Sequence, residues 1–336
     1  MSKNILVLGG AGYIGSHMVL ALEEAGYLVT VFDNLSRGFA GAVPGEILVV
    51  GDLRSRDDLK RCFESRCFDA VMHFGGLSYV GESVLEPELY YQNNIVGSLN
   101  LLSEMRYRGV NKIIFSSSCA TYGEPVFIPI TEDHPQTPIN PYGNTKFQIE
   151  QALKDYARAY GISSISFRYF NAAGCDPKMR AGERHDPETH LIPLALVEAL
   201  RTRAGCMSSE TRLTVFGGDF DTPDGSCIRD YIHVSDVCSA HLLALQLLLN
   251  GTSQGAKFFN LANGDGFSVL DVLNVCRKVT GEPIEYFVKP RRSGDPSRLI
   301  GNSNRAKSEL GWRPAFTSLD SIVLTAWNWL LSDVQR

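Results

Sequence analysis

The stretch NILVLGGAGYIGSH, residues 4–17, runs from a short apolar segment through a glycine-rich turn into a helical pattern. Gly10, Gly12 and Gly15 follow the spacing G-x-G-x-x-G, and Gly9, Gly12 and Gly15 the form G-x-x-G-x-x-G. Such glycines allow a tight turn, close backbone approach to a pyrophosphate, and close packing of helix on strand. The helix start then offers free N–H groups and the positive end of its dipole to the phosphates. Asp33, 21 positions beyond Gly12, ends the next apolar run LVTVFD, where an acid accepts hydrogen bonds from an adenosine ribose. Its charge repels the extra phosphate of NADP, so NAD is the expected dinucleotide. Arg37 is a counter-signal, because an arginine nearby can hold that phosphate. Asp52, at the end of the run VVGD, is placed to meet the adenine.

Working outward, apolar runs at 4–9, 28–33, 46–52, 69–76, 112–118 and 164–171 read as buried strands. Helical patterns lie between them at Gly15–Gly26, Leu89–Arg108 and Tyr142–Tyr160. Strands without strict alternation, separated by helices, are what a parallel sheet covered on both faces requires. The expected fold class is α/β, a doubly wound parallel sheet of Rossmann type with a smaller mixed α/β substrate-binding lobe. Residues 1–173 are expected to form the dinucleotide domain, with a return segment about 228–262 whose FFNLA (258–262) rejoins it. Residues 174–227 and 263–336 are assigned to the lobe. Within it 174–190 and 204–227 read as long loops, and helices recur at 268–280, 303–310 and 318–332.

Composition narrows the class. The 336 residues are 44% hydrophobic and 21% charged, which excludes a largely disordered chain. No apolar run approaches the ~20 residues of a membrane span. A net charge of −5 argues against nucleic-acid or anionic-membrane partners. Eight cysteines show no C-x-x-C and no metal-like clustering, so they read as reduced thiols of a cytoplasmic protein, and no metal site is expected.

Tyr142 and Lys146, in NPYGNTK, are four apart on a predicted helix and share a face. A phenol with a pKa near 10 serves as a base at neutral pH only if something stabilises its anion. A neighbouring ammonium and the positive nicotinamide ring of an oxidised cofactor are the right kind of stabiliser. Ser118 ends the fifth strand, and strand C-termini are where a doubly wound sheet binds ligands. Its hydroxyl can bridge a substrate oxygen and the tyrosine. His233 reads as a satisfied core histidine, Trp327 and Trp329 as packing, and Cys119 as an inert buried thiol.

Together, the glycine turn with Asp33, Ser118, Tyr142 and Lys146 resembles the extended short-chain dehydrogenase/reductase superfamily. More narrowly the chain resembles the family of UDP-glucose 4-epimerases. That match rests on GGAGYIGSH (9–17), NPYGNTK (140–146), RYFNAAG (168–174), HLIPLAL (190–196), CIRDYIHVSD (227–236), RRSGDP (291–296) and ELGWRP (309–314). The resemblance implies an NAD-dependent isomerase of galactose metabolism that inverts carbon 4 of a UDP-hexose through a transient 4-keto sugar. Ser118, Tyr142 and Lys146 would be catalytic. Gly9, Gly12, Tyr13, Ile14, Gly15, Asp33, Asn34, Asp52, Leu53, Phe74, Gly75, Gly76, Leu77, Asn93 and Phe170 would join Tyr142 and Lys146 around NAD. Asn171, His190, Leu191, Thr214, Phe216, Arg229, Tyr231, Arg292, Asp295 and Leu299 would join Ser118 and Tyr142 around the UDP-sugar. Arg229 and Arg292 suit a diphosphate, and Asp295 a ribose hydroxyl. A homodimer formed through the helices at 89–108 and 144–160 is a further expectation from the family.

Three positions depart from familiar family patterns. Ser78 stands where many members carry a lysine that reaches the cofactor, His190 replaces an asparagine, and Leu299 occupies a gating position at the hexose. An intermediate side chain at 299 leaves open whether UDP-N-acetylhexosamines or another nucleotide sugar enter. Cys119 and Ala120 follow Ser118 where related 4,6-dehydratases carry an Asp-Glu pair, which argues against dehydration. A simple dehydrogenase would release reduced cofactor. A non-catalytic NAD sensor would be expected to lack the Tyr/Lys pair.

Overall fold

A computed structural model of the chain describes residues 2–205, 213–292 and 295–334; Cys206 and the Ser293–Gly294 step of RRSGDP lie outside them. The strands are β1 (Asn4–Leu8), β2 (Leu28–Asp33), β3 (Leu48–Val50), β4 (Ala70–His73), β5 (Lys112–Ser118), β6 (Ser163–Tyr169), β7 (Asn171–Ala173), β8 (Leu213–Phe216), β9 (Ile228–His233), β10 (Ala256–Leu261), β11 (Gly266–Ser268), β12 (Tyr286–Lys289) and β13 (Arg298–Leu299). The helices are α1 (Tyr13–Glu24), α2 (Arg56–Ser65), α3 (Val80–Leu85), α4 (Pro87–Tyr90), α5 (Gly97–Tyr107), α6 (Pro141–Tyr160), α7 (Leu191–Arg203), α8 (Val234–Leu249), α9 (Val269–Thr280), α10 (Asn304–Glu309) and α11 (Leu319–Val334).

Seven parallel strands form one sheet in the order β10-β6-β5-β4-β1-β2-β3. The first six keep the doubly wound order 3-2-1-4-5-6, whose reversal between β1 and β4 opens a crevice at the strand C-termini. Alternation along each strand divides the core in two. Ile5, Val7, Val31, Met72 and Ile165 pack with Met18 of α1 and with Ala244 and Leu245 of α8. Leu6, Leu8, Phe32, Val71 and Phe115 face the other way, onto Leu59 of α2, Leu101 of α5 and Ile149 of α6. Both faces are covered, which is why these strands read as unbroken apolar runs.

Helix ends follow local chemistry. Asn140 caps α6 by accepting from Gly143 N at 2.8 Å, Pro141 opens the helix, and Gly161 closes it with φ 69°. Ser268 and Asp271 form a reciprocal capping box on α9. The expected helix 89–108 is α4 and α5 joined by a π-turn at Tyr91–Val96, which places Asn93 and Asn94 inside. Such turns recur at functional sites.

The smaller sheet is centred on β9, antiparallel to β11 and parallel to β13 and β7; β8 pairs with β12 separately. Residues 204–227, read as loop, therefore contain a strand, β8. Sheet membership also crosses the expected limits near 173 and 228: β7 and β9 sit in the smaller sheet, while α8 and β10 join the larger unit. The lobe's own core gathers α7, α9 and α11 around Ala195, Leu273, Ile322, Trp327 and Trp329. His233 is buried, bonded to Thr325 Oγ1 at 2.9 Å and stacked on Phe316. No helix among the described residues is long and apolar enough to cross a membrane.

Candidate active site

A cavity of about 330 Å³ opens beyond the strand C-termini. Gly9, Gly12, Tyr13, Ile14 and Gly15 line one side, Ser118, Tyr142 and Lys146 the floor, and Asn171, His190, Leu191 and Tyr231 the lobe side. A second cavity of about 100 Å³ continues from it past Gly9 and Gly12 to Asp33, Asn34, Leu53, Phe74, Gly75, Gly76, Leu77 and Asn93.

The glycine turn is built by close contact. Gly9 has φ +72°, and a Cβ there would come within 2.5 Å of Gly75 N. A Cβ on Gly15 would overlap the Gly9 carbonyl oxygen and lie 2.8 Å from Gly10 Cα. Gly12 has only the Gly9 oxygen nearby, at 3.4 Å, and lines both cavities at the uncapped start of α1. Asp33 accepts from Ala11 N at 3.0 Å and Leu35 N at 2.8 Å, one on each carboxylate oxygen. Burial raises its pKa and these two bonds oppose the rise. Each oxygen keeps further acceptor capacity, and Asp33 lines the second cavity. A free helix start, a bare Gly12 and a carboxylate about twenty residues on fit a dinucleotide without adjustment.

Gly15→Ala is expected to push α1 off the turn and weaken NAD binding by about tenfold or more, equal to ~1.4 kcal/mol. Equilibrium titration of the cofactor checks it, and an unchanged dissociation constant would show the turn to be unimportant.

Arg37 is engaged rather than free. It pairs with Glu82, donates to the Asp186 carbonyl at 3.3 Å and stacks 5.0 Å from the Tyr79 ring centre. Its charge is thus neutralised locally, which weakens the counter-signal for NADP. Asp52 lines neither cavity; Arg54 and Asn34 hold its carboxyl near a pKa of about 2.

Ser118 and Tyr142 meet because two elements touch. A Cβ on Gly143 would overlap the Ala120 carbonyl, so only glycine lets the first turn of α6 lie against the turn after β5. Ser118 also accepts from Ala120 N at 3.1 Å. Burial raises the Tyr142 phenol to about 12, with a hydrogen bond to Ser118 pulling the other way. Lys146 donates to the Ser116 carbonyl at 2.7 Å, and its Nζ lies 5.8 Å from the Tyr142 ring centre. Burial lowers its pKa to about 7 despite Glu150. In the chain alone burial prevails at both groups. Cys119 is pushed up to about 12 by burial and is no nucleophile.

Of the remaining expected sugar-nucleotide residues, Thr214, Phe216, Arg229, Arg292, Asp295 and Leu299 line neither cavity. Arg229 and Tyr231 share a face of β9, two residues apart. Arg229 pairs with Asp295, so two expected ligands meet each other. Arg292 stacks 4.0 Å from the centre of Phe216, which shares β8 with Thr214. Leu299 packs against the buried cluster of Cys119, Tyr122, Ile130, Phe170 and Ala262, of which Phe170 lines the cavity. Arg291 forms a surface ion pair with Asp219 at 2.7 Å.

The sequence reading passed over several participants. Asn94 accepts from Leu77 N at 2.9 Å and donates to Thr145 Oγ1 at 3.1 Å, tying the Gly76–Leu77 wall to α6. Only the π-turn aims it inward, and nothing in an apolar period signals that. Glu183 and His185 line the cavity beside the expected His190, from a segment read as loop, although E-x-H-x-x-E-x-H was visible at 183–190. Hydrogen bonds to Glu183 and Glu188 outweigh the burial that lowers His190, and its pKa rises to about 10. Ser78 is exposed at the rim.

Comparison with known proteins adds the lineage. Residues 5–262 match the model of the NAD dependent epimerase/dehydratase family. The chain belongs to that family. It is 51% identical to the UDP-glucose 4-epimerase of Halalkalibacterium halodurans, over 97% of this chain and 95% of the relative. The crystal structure of UDP-glucose 4-epimerase from Brucella ovis in complex with NAD superposes with a TM-score of 0.91 at 44% identity, covering 97% and 98% of the two chains. The enzyme from Bifidobacterium longum in complex with NAD+ and UDP gives 0.90 at 35% identity, covering 99% of each. The epimerase/dehydratase assignment accords with the doubly wound sheet and with both cavities.

Proposed function

We propose that the protein is an NAD-dependent UDP-glucose 4-epimerase, interconverting UDP-glucose and UDP-galactose in galactose metabolism. The observation that carries the reading is the meeting of Ser118 and Tyr142 in one cavity with the Gly9–Gly15 turn. When bound, NAD supplies reversible hydride acceptance at the sugar carbon. The chain's own residues do the rest. Tyr142 exchanges the proton of the 4-hydroxyl, Ser118 holds that oxygen in line with the phenol, and Lys146 fixes the α6 end of the site. Arg229, Arg292 and Phe216 anchor the nucleotide end, so that the keto sugar can turn without leaving. In this reading residues 1–173, with the return through α8 and β10, carry the cofactor, and β9 with 174–227 and 263–336 the sugar nucleotide.

The family includes dehydratases, but Cys119 and Ala120 offer neither an acid nor a base after Ser118. The decisive experiment incubates purified protein with UDP-galactose without added NAD and follows UDP-glucose by NMR. UDP-glucose should appear. Accumulation of free NADH would instead mark a dehydrogenase, and no conversion with NAD supplied would sink the reading.

Leu299 packs against the cluster that contains the cavity-lining Phe170, and the UDP-Glc/GlcNAc 4-epimerase from Campylobacter jejuni is 39% identical. A parallel assay with UDP-N-acetylglucosamine is expected to give the slower reaction; a large preference for it would reassign the substrate. The reading also takes the protein to be a cytoplasmic homodimer, with Val96, Leu99 and Tyr160 exposed at the paired helices. Seven described cysteines are unbridged, as a reducing compartment requires. Sedimentation at assay concentration tests the dimer.

A further inference from the structure

We propose that Glu183, His185, Glu188 and His190 bind one divalent transition-metal ion of the zinc class, on the strap that walls the dinucleotide cavity. Each residue offers one ligand atom, and the four atoms lie within 4.8 Å of one another. His185 Nδ1 is 3.4 Å from Glu183 Oε1 and 3.3 Å from Glu188 Oε2. His190 Nδ1 is 3.0 Å from Glu183 Oε1 and 2.9 Å from Glu188 Oε1. A tetrahedral zinc with bonds of ~2.0–2.1 Å has ligand–ligand edges of about 3.3–3.4 Å, close to the four imidazole–carboxylate separations, while the widest pair among the four atoms, up to 4.8 Å, must draw in as an ion binds.

Proton counting supplies an independent argument. An imidazole Nδ1 carries at most one hydrogen and directs it at one acceptor. Here two Nδ1 atoms make four close approaches to carboxylate oxygens, so at most two can be well-formed hydrogen bonds. A cation at the centre satisfies all four ligand atoms at once. The donors are two imidazoles and two carboxylates, whose combined charge of −2 matches a dication, and mixed nitrogen and oxygen donors in fourfold array suit Zn²⁺ over Mg²⁺ or Ca²⁺.

The surroundings are those of a built site. The Glu183 side chain is 6% exposed. Tyr13 and Tyr79 pack edge-on to His185 with ring centres 6.1 and 6.0 Å away. The strap itself is tied to the dinucleotide domain by Arg37 on the Asp186 carbonyl and Tyr79 Oη on the Pro187 carbonyl, each at 3.3 Å. Since His190 is the residue before α7, a metal would fix the start of that helix and the cavity wall together.

The full-length chain, stripped with chelator and dialysed against Zn²⁺, is expected to retain one zinc by elemental analysis and to melt at a higher temperature. Co²⁺ in its place should give the intense visible bands of a four-coordinate ion. His185→Ala and Glu183→Gln are each expected to lower zinc affinity by about tenfold or more while keeping the native circular dichroism spectrum. Cys67→Ser, at the exposed thiol, should leave zinc content unchanged. Failure of the unaltered chain to retain zinc, or equal retention by His185→Ala, would overturn the site and leave the epimerase reading untouched.

Discussion

Tyr142→Phe is expected to lower turnover by ~10³-fold or more while NAD remains bound. The substitution removes one oxygen from the cavity floor and leaves the cofactor cradle of Gly9, Gly12, Gly15 and Asp33 as it stands. Unchanged NAD content beside lost turnover separates a chemical role from a binding one. A variant that keeps a tenth of the activity would place the proton elsewhere. The pH behaviour follows from the two neighbouring shifts. Burial holds the phenol at about 12, so the cofactor-free chain presents it protonated at neutral pH. Burial holds Lys146 at about 7, so its positive charge is lost as pH rises through neutrality. The folded chain thus binds fewer protons at Lys146 than the unfolded chain between about pH 7 and 10, and stability contributed there rises with pH. Lys146→Met is expected to abolish that rise and to cost activity through the phenol. Chemical denaturation at two pH values measures the first effect.

Arg168→Met is expected to cost about 3–5 kcal/mol of folding stability. Arg168 is 2% exposed and donates to Glu150 at 2.6 and 2.9 Å, while Glu150 is wholly buried. Burial disfavours the guanidinium charge, but Glu150 outweighs it and raises the pKa. Removal of the arginine strands a carboxylate between β5 and α6 with only Ser117 Oγ, at 2.5 Å, and Gln136 Nε2, at 3.0 Å, as partners. With an unfolding entropy of ~2.1 cal/mol/K per residue, the expected fall in melting temperature is about 4–7 °C. The double variant Glu150→Leu with Arg168→Met should recover most of the loss, because the cost lies in the unpaired charge. A single-variant loss under about 1 kcal/mol would mean that water reaches Glu150.

Much of this architecture was legible. β2 and β5 fall on the residues expected, and the dinucleotide turn, Asp33 and the Tyr142–Lys146 pair gain their force from their order along the chain rather than from any one spacing. What escaped depended on tertiary company. Among the described residues β8 pairs only with β12, more than seventy residues further on, and its four residues lie in a polar stretch that reads as loop. α8 is apolar on nearly every side because the sheet, α1 and Trp312 surround it, so no amphipathic period announces it. The π-turn that aims Asn94 inward has no propensity signature at all. Residues were therefore easier to recognise than the partners that set their chemistry, as the Lys146 bond to Ser116 shows.

The seventh strand of the large sheet has a consequence for synthesis. β10 pairs with β6 through six residues, yet it leaves the ribosome some ninety residues later. Until then a nascent chain presents the open edge of β6, whose Ile165, Phe167 and Tyr169 find their final cover only with α8 and β10. Unpaired strand edges of this kind recruit other chains. A protein truncated after β7 would carry the whole glycine turn and the Tyr/Lys pair and still be a poor solitary fold, its sheet finished on one flank only.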